Sequence, residues 1–156
     1  RGLLDMINLR DEYGWSPLHG AVQGKVDHDR PMAQGRQHDE AKARWMMANG
    51  ADVNAVNHQN TTIFSLACVF RSLSFVQELV DKVTPDHLSM PNRDDGVPSP
   101  MQGAFESNPD YRPIVRTLLL RGATVQPHDF PATFGPGTNL LVRHLICIQA
   151  RTALLA

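Results

Sequence analysis

Cysteine is scarce in this chain of 156 residues, which has only Cys68 and Cys147. Two thiols are too few for a disulfide framework or a zinc site. We expect both to be reduced, Cys68 in the core and Cys147 in an apolar helical segment. This usage is typical of an intracellular protein, cytoplasmic or nuclear.

Net charge and long apolar runs are also lacking. The formal net charge is −1 at pH 7, which argues against bulk attraction to nucleic acid or to an anionic membrane. No apolar stretch reaches the roughly 20 residues that a membrane span needs, and no basic start followed by an apolar signal core is present. We therefore expect no nucleic-acid partner and no membrane association. The chain begins at Arg1 rather than at a methionine, as a domain excised from a longer protein would.

The common sequence motifs of enzymes are missing as well. The chain has no nucleotide loop of the Gly-x-x-x-x-Gly-Lys-Ser type and no Cys-x-x-Cys pair. Its Gly-Trp-Ser-Pro-Leu run, which starts at Gly14, lacks the closing glycine of a hydrolase nucleophile elbow. These absences favour a non-catalytic protein, expected to have no catalytic residues and no cofactor.

What the chain does contain is a repeated signal. Residues 14–21 read GWSPLHGA, residues 60–67 read NTTIFSLA and residues 96–104 read GVPSPMQGA. A second signal, an apolar run followed by Gly-Ala, occurs at 45–55 (WMMANGADVNA) and at 118–125 (LLLRGATV). Such self-similarity decides the architecture before any residue-level chemistry is considered.

These residues resemble the ankyrin repeat, whose unit of about 33 residues carries a Thr-Pro-Leu-His-x-Ala signature. The resemblance implies an all-α fold, an ankyrin-repeat α-solenoid of helix-turn-helix units with short hairpin loops. It implies about three full repeats plus terminal capping helices in a single domain, 1–156. The expected parts are an N-terminal cap helix (1–10), a repeat with an inserted loop at about 24–42 (11–55), a degenerate repeat (56–90), a third repeat (91–125), and an irregular segment with a C-terminal capping helix (126–156).

Elementary helix chemistry explains the recurring residue types. Each signature contains a hydroxyl residue that can cap a helix by accepting a backbone N–H; these residues are Ser16, Thr62 and Ser99. Pro17 and Pro100 suit the first helical position, where a missing N–H costs nothing. Gly50 and Gly122 follow apolar helices and are predicted to be left-handed C-caps, whereas the second repeat has Val83 at that place and should end differently.

Three further residues receive structural interpretations. A lone histidine beside a serine suggests acid-base chemistry. In the resembling family, however, the histidine at this position ties the turn together by hydrogen bonds, and the resemblance implies the same role for His19. Trp45 precedes two methionines on a second helix and is predicted to lie in or near the core. Met101 is predicted to fill a gap in the core.

The inserted loop provides the only metal-like group of residues. Its imidazoles and carboxylates would have to converge on one ion, and nothing in their spacing enforces that. The candidates are His28, Asp29, His38 and Asp39. The alternative hypothesis for the protein is therefore an enzyme, or a small-molecule or metal-binding protein, that uses this loop and the adjacent concave pocket.

The leading hypothesis is a non-catalytic protein-protein interaction module, a scaffold or adaptor. Its partner would be another protein or another domain of the same chain, and its oligomeric state is left open. In the resembling family, partners bind to the hairpin fingers and to the exposed side of the first helices. The matching positions here are Glu12, Tyr13, Trp15, Gln23, His58, Gln59, Thr61, Phe70, Arg71, Arg93, Asp94, Asp95 and Glu106. Tyr13 and Trp15 rank highest because aromatic residues are enriched in binding hot spots, although either could instead pack on a neighbouring repeat.

Overall fold

The structure is a computed structural model that describes residues 2–24, 32–90, 98–107, 112–125 and Asp129. These ranges form seven α-helices and one short 3-10 helix and contain no β-strand. The helices are α1 (Leu3–Ile7), α2 (Pro17–Gln23), α3 (Met32–Ala48), α4 (Ile63–Phe70), α5 (Leu73–Val80), the 3-10 helix (Pro85–Leu88), α6 (Pro100–Ser107) and α7 (Arg112–Leu120). The described part of the chain is therefore all-α, and α1 lies within the predicted N-terminal cap.

The three helices that follow the repeated signature begin as the sequence predicts. The Ser16 hydroxyl accepts the His19 N–H at 3.4 Å at the start of α2. Thr62 accepts the Ser65 N–H at 2.9 Å at the start of α4. Ser99 accepts the Gln102 N–H at 3.2 Å just before α6. All three N-caps are confirmed, and α2 and α6 both start with proline.

The helix ends also follow the sequence. Gly50 and Gly122 have φ angles of 88° and 87°, so both adopt the left-handed conformation expected of glycine at a C-cap. Helix α5 ends differently, with Asp81 in the right-handed helical region. The chain then passes through Val83 into the 3-10 helix that starts at Pro85. The predicted difference between the second repeat and the others is therefore present.

Part of the segment predicted as an inserted loop is helical. Helix α3 begins at Met32, so residues 32–42, assigned to the loop from sequence, are helical. Glu40 and Arg44 pair across one helical turn at 3.5 Å, and Glu40 also contacts the start of α5. The contacts with α5 join positions more than thirty apart and stabilise a helical segment that the sequence predicts to be a loop.

Helix α4 lies at the centre of the core. It packs against α2 on one side and α6 on the other, and also against α5 and the 3-10 helix. Helix α2 packs on α3, and α7 packs on α5 and α6. The largest side chains that are fully buried include Leu18, Ile63, Phe64, Leu66, Phe75, Leu79, Met101, Ile114 and Leu118.

Two core predictions are confirmed and one is wrong. Cys68 is fully buried, and burial raises the pKa of its thiol, so it remains neutral. Met101 is also buried. Trp45, predicted to be in or near the core, is 55% exposed. The buried side of α3 is marked by Ala43, and Trp45 lies about 200° further round the helix.

Two other expectations concern residues beyond those described. Cys147 and the C-terminal capping helix in 126–156 both lie outside the described residues. Within the described ranges, no helix has the length and apolar character needed to cross a membrane.

Candidate functional site

The chain from Asp11 to Trp15 forms a tight turn that we call the first finger. The Asp11 carboxylate accepts the backbone N–H groups of Tyr13 at 3.0 Å and Trp15 at 2.8 Å. The backbone N–H of Asp11 donates to the Trp15 carbonyl at 3.0 Å, and Gly14 has a φ of 81°. A side chain in this position would be strained. The turn is thus held by one carboxylate and one glycine.

The chain from Asn57 to Thr61 forms the second finger by the same means. The Asn57 side-chain oxygen accepts the N–H groups of Gln59 at 3.0 Å and Thr61 at 2.7 Å. Asn57 also donates its N–H to the Thr61 carbonyl at 3.2 Å, and Asn60 takes the positive φ of 63°. Aspartate and asparagine both support such turns through their side-chain oxygens. The two fingers therefore share one hydrogen-bond pattern.

Backbone contacts fix the fingers relative to each other. The His58 N–H donates to the Tyr13 carbonyl at 3.1 Å, which joins finger to finger. The Arg10 guanidinium donates to the Val56 carbonyl at 2.7 Å just before the second finger. A Cβ atom on Gly14 would lie 2.9 Å from the His58 ring, so the fingers approach closely at that point.

His19, in the first turn of α2, links the start of that helix to the second finger. Its Nδ1 atom accepts the Ser16 N–H at 3.1 Å, which assigns the proton to Nε2, and Nε2 donates to the Thr61 carbonyl at 3.2 Å. Burial lowers the pKa of His19 from its ordinary 6.5, and the hydrogen bond to Thr61 opposes that change without cancelling it. The imidazole is therefore neutral and structural, as the resemblance implies.

Four of the predicted contact residues lie exposed on the two fingers: Glu12, Tyr13, His58 and Gln59. Tyr13 is the most prominent apolar group among them, with 62% of its surface exposed. Trp15 is half-buried and packs beside His19, with the ring centroids 5.3 Å apart. At the ends of the first helices, Gln23 is exposed and Phe70 is half-buried. These residues can be reached by a partner.

Two predicted contact residues are buried and hold the fold together. Thr61 is fully buried within the second finger. Arg71 is 3% exposed, and it donates to the carbonyls of Val22 at 2.5 Å and Ala21 at 3.2 Å. These carbonyls lie in the last turn of α2, where helix carbonyls have no partner within the helix. We therefore leave Thr61 and Arg71 out of the candidate surface.

The remaining predicted contacts are not described. Arg93, Asp94 and Asp95 lie outside the described residues, as do His28 and Asp29 of the metal candidates. Glu106 and His38 lie within α6 and α3, and their side chains are among those the structure does not describe.

The carboxylates of the metal-like sequence that are described have structural partners. Asp39 pairs with the buried Arg71 at 3.4 Å. Glu40 accepts the N–H of Ser72 at 2.8 Å and its hydroxyl at 3.0 Å, at the start of α5. Among the residues that the structure describes, no group of three or more histidines, cysteines and acidic residues could hold a metal ion. The sequence gives no sign of these links because each crosses more than thirty positions.

An open groove of about 500 Å³ lies beside the first finger, and sequence reasoning did not find it. Its lining residues are Leu9, Arg10, Asp11, Trp15, Ser16, Pro17 and Gly20. Both charged residues are already engaged: Arg10 with the Val56 carbonyl and with Asp52, and Asp11 with two backbone N–H groups. The groove therefore offers a mainly apolar surface.

Comparison with known proteins adds no relative to this description. No protein-family model matches the sequence, and no curated protein sequence matches it significantly. The resemblance to the ankyrin repeat accordingly rests on the residues quoted above.

Proposed function

We propose that this chain is an ankyrin-type repeat scaffold that binds another protein, or another domain of its own chain, through its fingertips. The observation that carries the proposal is the pair of fingers joined by the hydrogen bond from His58 to Tyr13. Each finger is fixed internally by a side-chain oxygen that accepts two backbone N–H groups. The exposed residues of both fingers are consequently held in one arrangement.

Such rigidity supports binding for an energetic reason. A flexible loop loses conformational freedom when it binds, at a cost of roughly 0.5–1.5 kcal/mol for each side chain immobilised. Loops that are already fixed avoid part of this cost. Tyr13 contributes the aromatic surface that interaction hot spots favour. Glu12, His58 and Gln59 add exposed polar groups on the same two fingers, and these can select a partner.

A comparison of fingertip variants tests this proposal. The immobilised protein would be exposed to an extract of the source organism, and retained proteins would be identified by mass spectrometry. We expect a protein retained by the wild type to be lost from a Tyr13→Ala/His58→Ala double variant. Leu120→Ala is the matched control, because Leu120 is 75% exposed on α7 and belongs to neither finger.

The interpretation requires that the variants remain folded, which far-ultraviolet circular dichroism would establish. A partner that binds the folded double variant as well as the wild type would show that the fingertips are not the binding surface. A partner lost equally from Leu120→Ala would lead to the same conclusion.

A further inference from the structure

The groove beside the first finger contains residues whose counterparts in the next repeat are buried. A shift of 46 positions aligns the capping residues Ser16 and Thr62, and it aligns Asp11 with Asn57. The aligned pairs are Leu9 with Ala55, Trp15 with Thr61, Pro17 with Ile63 and Gly20 with Leu66. The second member of each pair is at most 1% exposed. By contrast, Leu9 is 50% exposed, Gly20 is exposed, and Trp15 and Pro17 are only half-buried. We call these four residues the flank face.

The preceding repeat packs on the helix and the finger that carry the buried counterparts. Helix α2 packs on α4, which carries Ile63 and Leu66. His19 donates to the carbonyl of Thr61, and the Tyr13 carbonyl accepts the N–H of His58. The surface of the second repeat is therefore covered by a helix and a finger of the first.

Two glycines at matching positions show the same difference in coverage between the first repeat and the third. Gly103 follows its capping residue Ser99 by four positions, as Gly20 follows Ser16. A Cβ atom on Gly103 would lie 2.7 Å from the side chain of Val69 in α4, so the preceding helix presses on that position. A Cβ atom on Gly20 would have no neighbour within 4 Å. Only the first of the three aligned helices lacks a cover among the described residues.

Residues ahead of the first finger already behave as the end of a preceding repeat. The Asn8 side chain accepts the N–H of Asp52 at 2.8 Å. Its aligned counterpart Asn54 accepts the N–H of Thr84 at 2.9 Å in the next repeat. Asn8 also donates to the Gly50 carbonyl at 3.0 Å. An asparagine side chain thus links the segment before Asp11 to the first repeat, and the asparagine at the aligned position links the first repeat to the second in the same way.

We propose that the flank face is the docking site of a further hairpin-and-helix unit of the same polypeptide, ahead of Arg1. Its helix covers Leu9, Pro17 and Gly20. In the added unit, a side chain at the position that matches His19 donates to the Trp15 carbonyl. A backbone carbonyl in the finger of that unit accepts the Glu12 N–H. The flank face continues the interface between α2 and α4, and the charged residues described along the groove, Arg10 and Asp11, are already engaged by groups within the chain.

Tryptophan fluorescence tests this proposal, because the chain has only two tryptophans. In a Trp45→Phe background of this chain, emission reports on Trp15 alone, and any tryptophan in the added residues would also be replaced by phenylalanine. We would compare this chain with the longer native polypeptide that includes the residues encoded ahead of Arg1. We expect a shift of the Trp15 emission to shorter wavelength and severalfold weaker quenching by acrylamide in the longer polypeptide. Trp15→Phe, with Trp45 retained, is the control, and its emission should be the same in both lengths.

Two results of this comparison would overturn the proposal. One is equal quenching of Trp15 in a folded longer polypeptide, or the finding that no polypeptide precedes Arg1. The other is protection of Trp15 in the present chain that rises with concentration together with dimer formation in sedimentation, since a second copy would then be the occupant.

A duplicated chain keeps the proposal testable if the longer polypeptide does not fold. Residues 11–56, one period of the alignment, would be repeated in frame ahead of Asp11, with Trp15→Phe in the added copy and Trp45→Phe in both. The remaining Trp15 should then be protected from acrylamide, and the urea midpoint should rise. A folded duplicate in which this Trp15 is as exposed as in the present chain would show that the flank face does not accept such a unit.

Discussion

Arg71 is the residue whose role differs most from what its sequence position suggests. It lies at the end of α4, yet its guanidinium reaches back 49 positions to the Val22 carbonyl and also pairs with Asp39. A buried guanidinium that satisfies helix carbonyls stabilises the fold, because those carbonyls would otherwise have no partner once water is excluded.

Arg71→Ala is therefore expected to lower the free energy of unfolding by on the order of 3 kcal/mol. The substitution removes the donor to two carbonyls and leaves the Asp39 carboxylate without its cation. Urea denaturation followed by circular dichroism measures the change. Arg116→Ala, at an exposed position on α7, is the control and should change stability by less than about 0.5 kcal/mol. Equal effects of the two substitutions would contradict the assigned role.

His19 gives the fold a dependence on pH. Burial lowers the pKa of His19 in the folded protein below 6.5, its value in the unfolded chain, and burial also lowers the pKa of His87. The unfolded state therefore binds more protons at mildly acid pH. The stabilisation is fully present above pH 6.5 and is lost as the pH falls through the folded-state pKa values.

Denaturation midpoints measured across roughly pH 5 to 8 should therefore fall on the acid side. His19→Gln should flatten the profile while lowering stability at neutral pH by about 1 kcal/mol, since the hydrogen bond to Thr61 is weakened. His58→Gln is the control at an exposed fingertip. A wild-type profile that does not change below pH 6.5 would show that neither buried histidine is coupled to folding.

Residue roles could be predicted from sequence where they depend on near neighbours. Ser16, Thr62 and Gly50 act on backbone groups within a few positions, so their roles follow from local helix chemistry. Arg71 and Trp45 depend on where a distant helix lies. The sequence around Trp45 does not show which side of α3 faces the core, and Trp45 is exposed.

At the scale of elements, the first finger and helix α2 place different demands on the glycines they contain. Gly14 has a positive φ and lies against His58, whereas Gly20 lies in α2 with open space around it. Gly14→Ala should destabilise the protein by on the order of 1–3 kcal/mol. Gly20→Ala should stabilise it by about 0.5–1 kcal/mol, because alanine loses less backbone entropy in a helix.

Thermal unfolding of the two variants provides the comparison, since each replaces one hydrogen by the same methyl group. Opposite shifts in Tm are expected. A Tm of Gly14→Ala equal to or above that of the wild type would show that the conformation of the first finger does not require glycine.

Helix α3 shows why an element can be hidden in a sequence. Pro31 and Gly35 are typical of a loop, and local propensity alone therefore predicts that the helix starts near residue 43. Contacts of Asp39 and Glu40 with Arg71 and Ser72 support the earlier start at Met32. Each contact joins positions far apart in the chain, so no local sequence pattern predicts it.

At the scale of the whole molecule, α4 has neighbours on more sides than any other described helix. It contacts α2, α5, α6 and the 3-10 helix, and its residues 63–68 are all buried. Exchange of its amides should therefore require opening of several helices at once. We expect the amide protons of α4 to exchange more slowly than those of α2 and α7 when followed by mass spectrometry. Faster exchange in α4 than in α7 would contradict this order.

The all-α class and the order of the first helices could be anticipated from the repeated signature. The path of the chain between them could not, because the first two capping residues, Ser16 and Thr62, are 46 positions apart and the next pair, Thr62 and Ser99, are 37 apart. An exposed flank is likewise invisible in a sequence, since Gly20 and Gly103 share one pattern but only Gly103 is covered.

The reach of Arg71 also has a consequence for the cooperativity of folding. Helix α2 has seven residues, too few to persist alone in water. Its last turn is capped by a residue of α4, and its His19 is bonded to the second finger. The first repeat can therefore become ordered only together with the second, so the smallest cooperative folding unit of this chain spans both. A peptide of residues 1–56 should show little helical signal by circular dichroism.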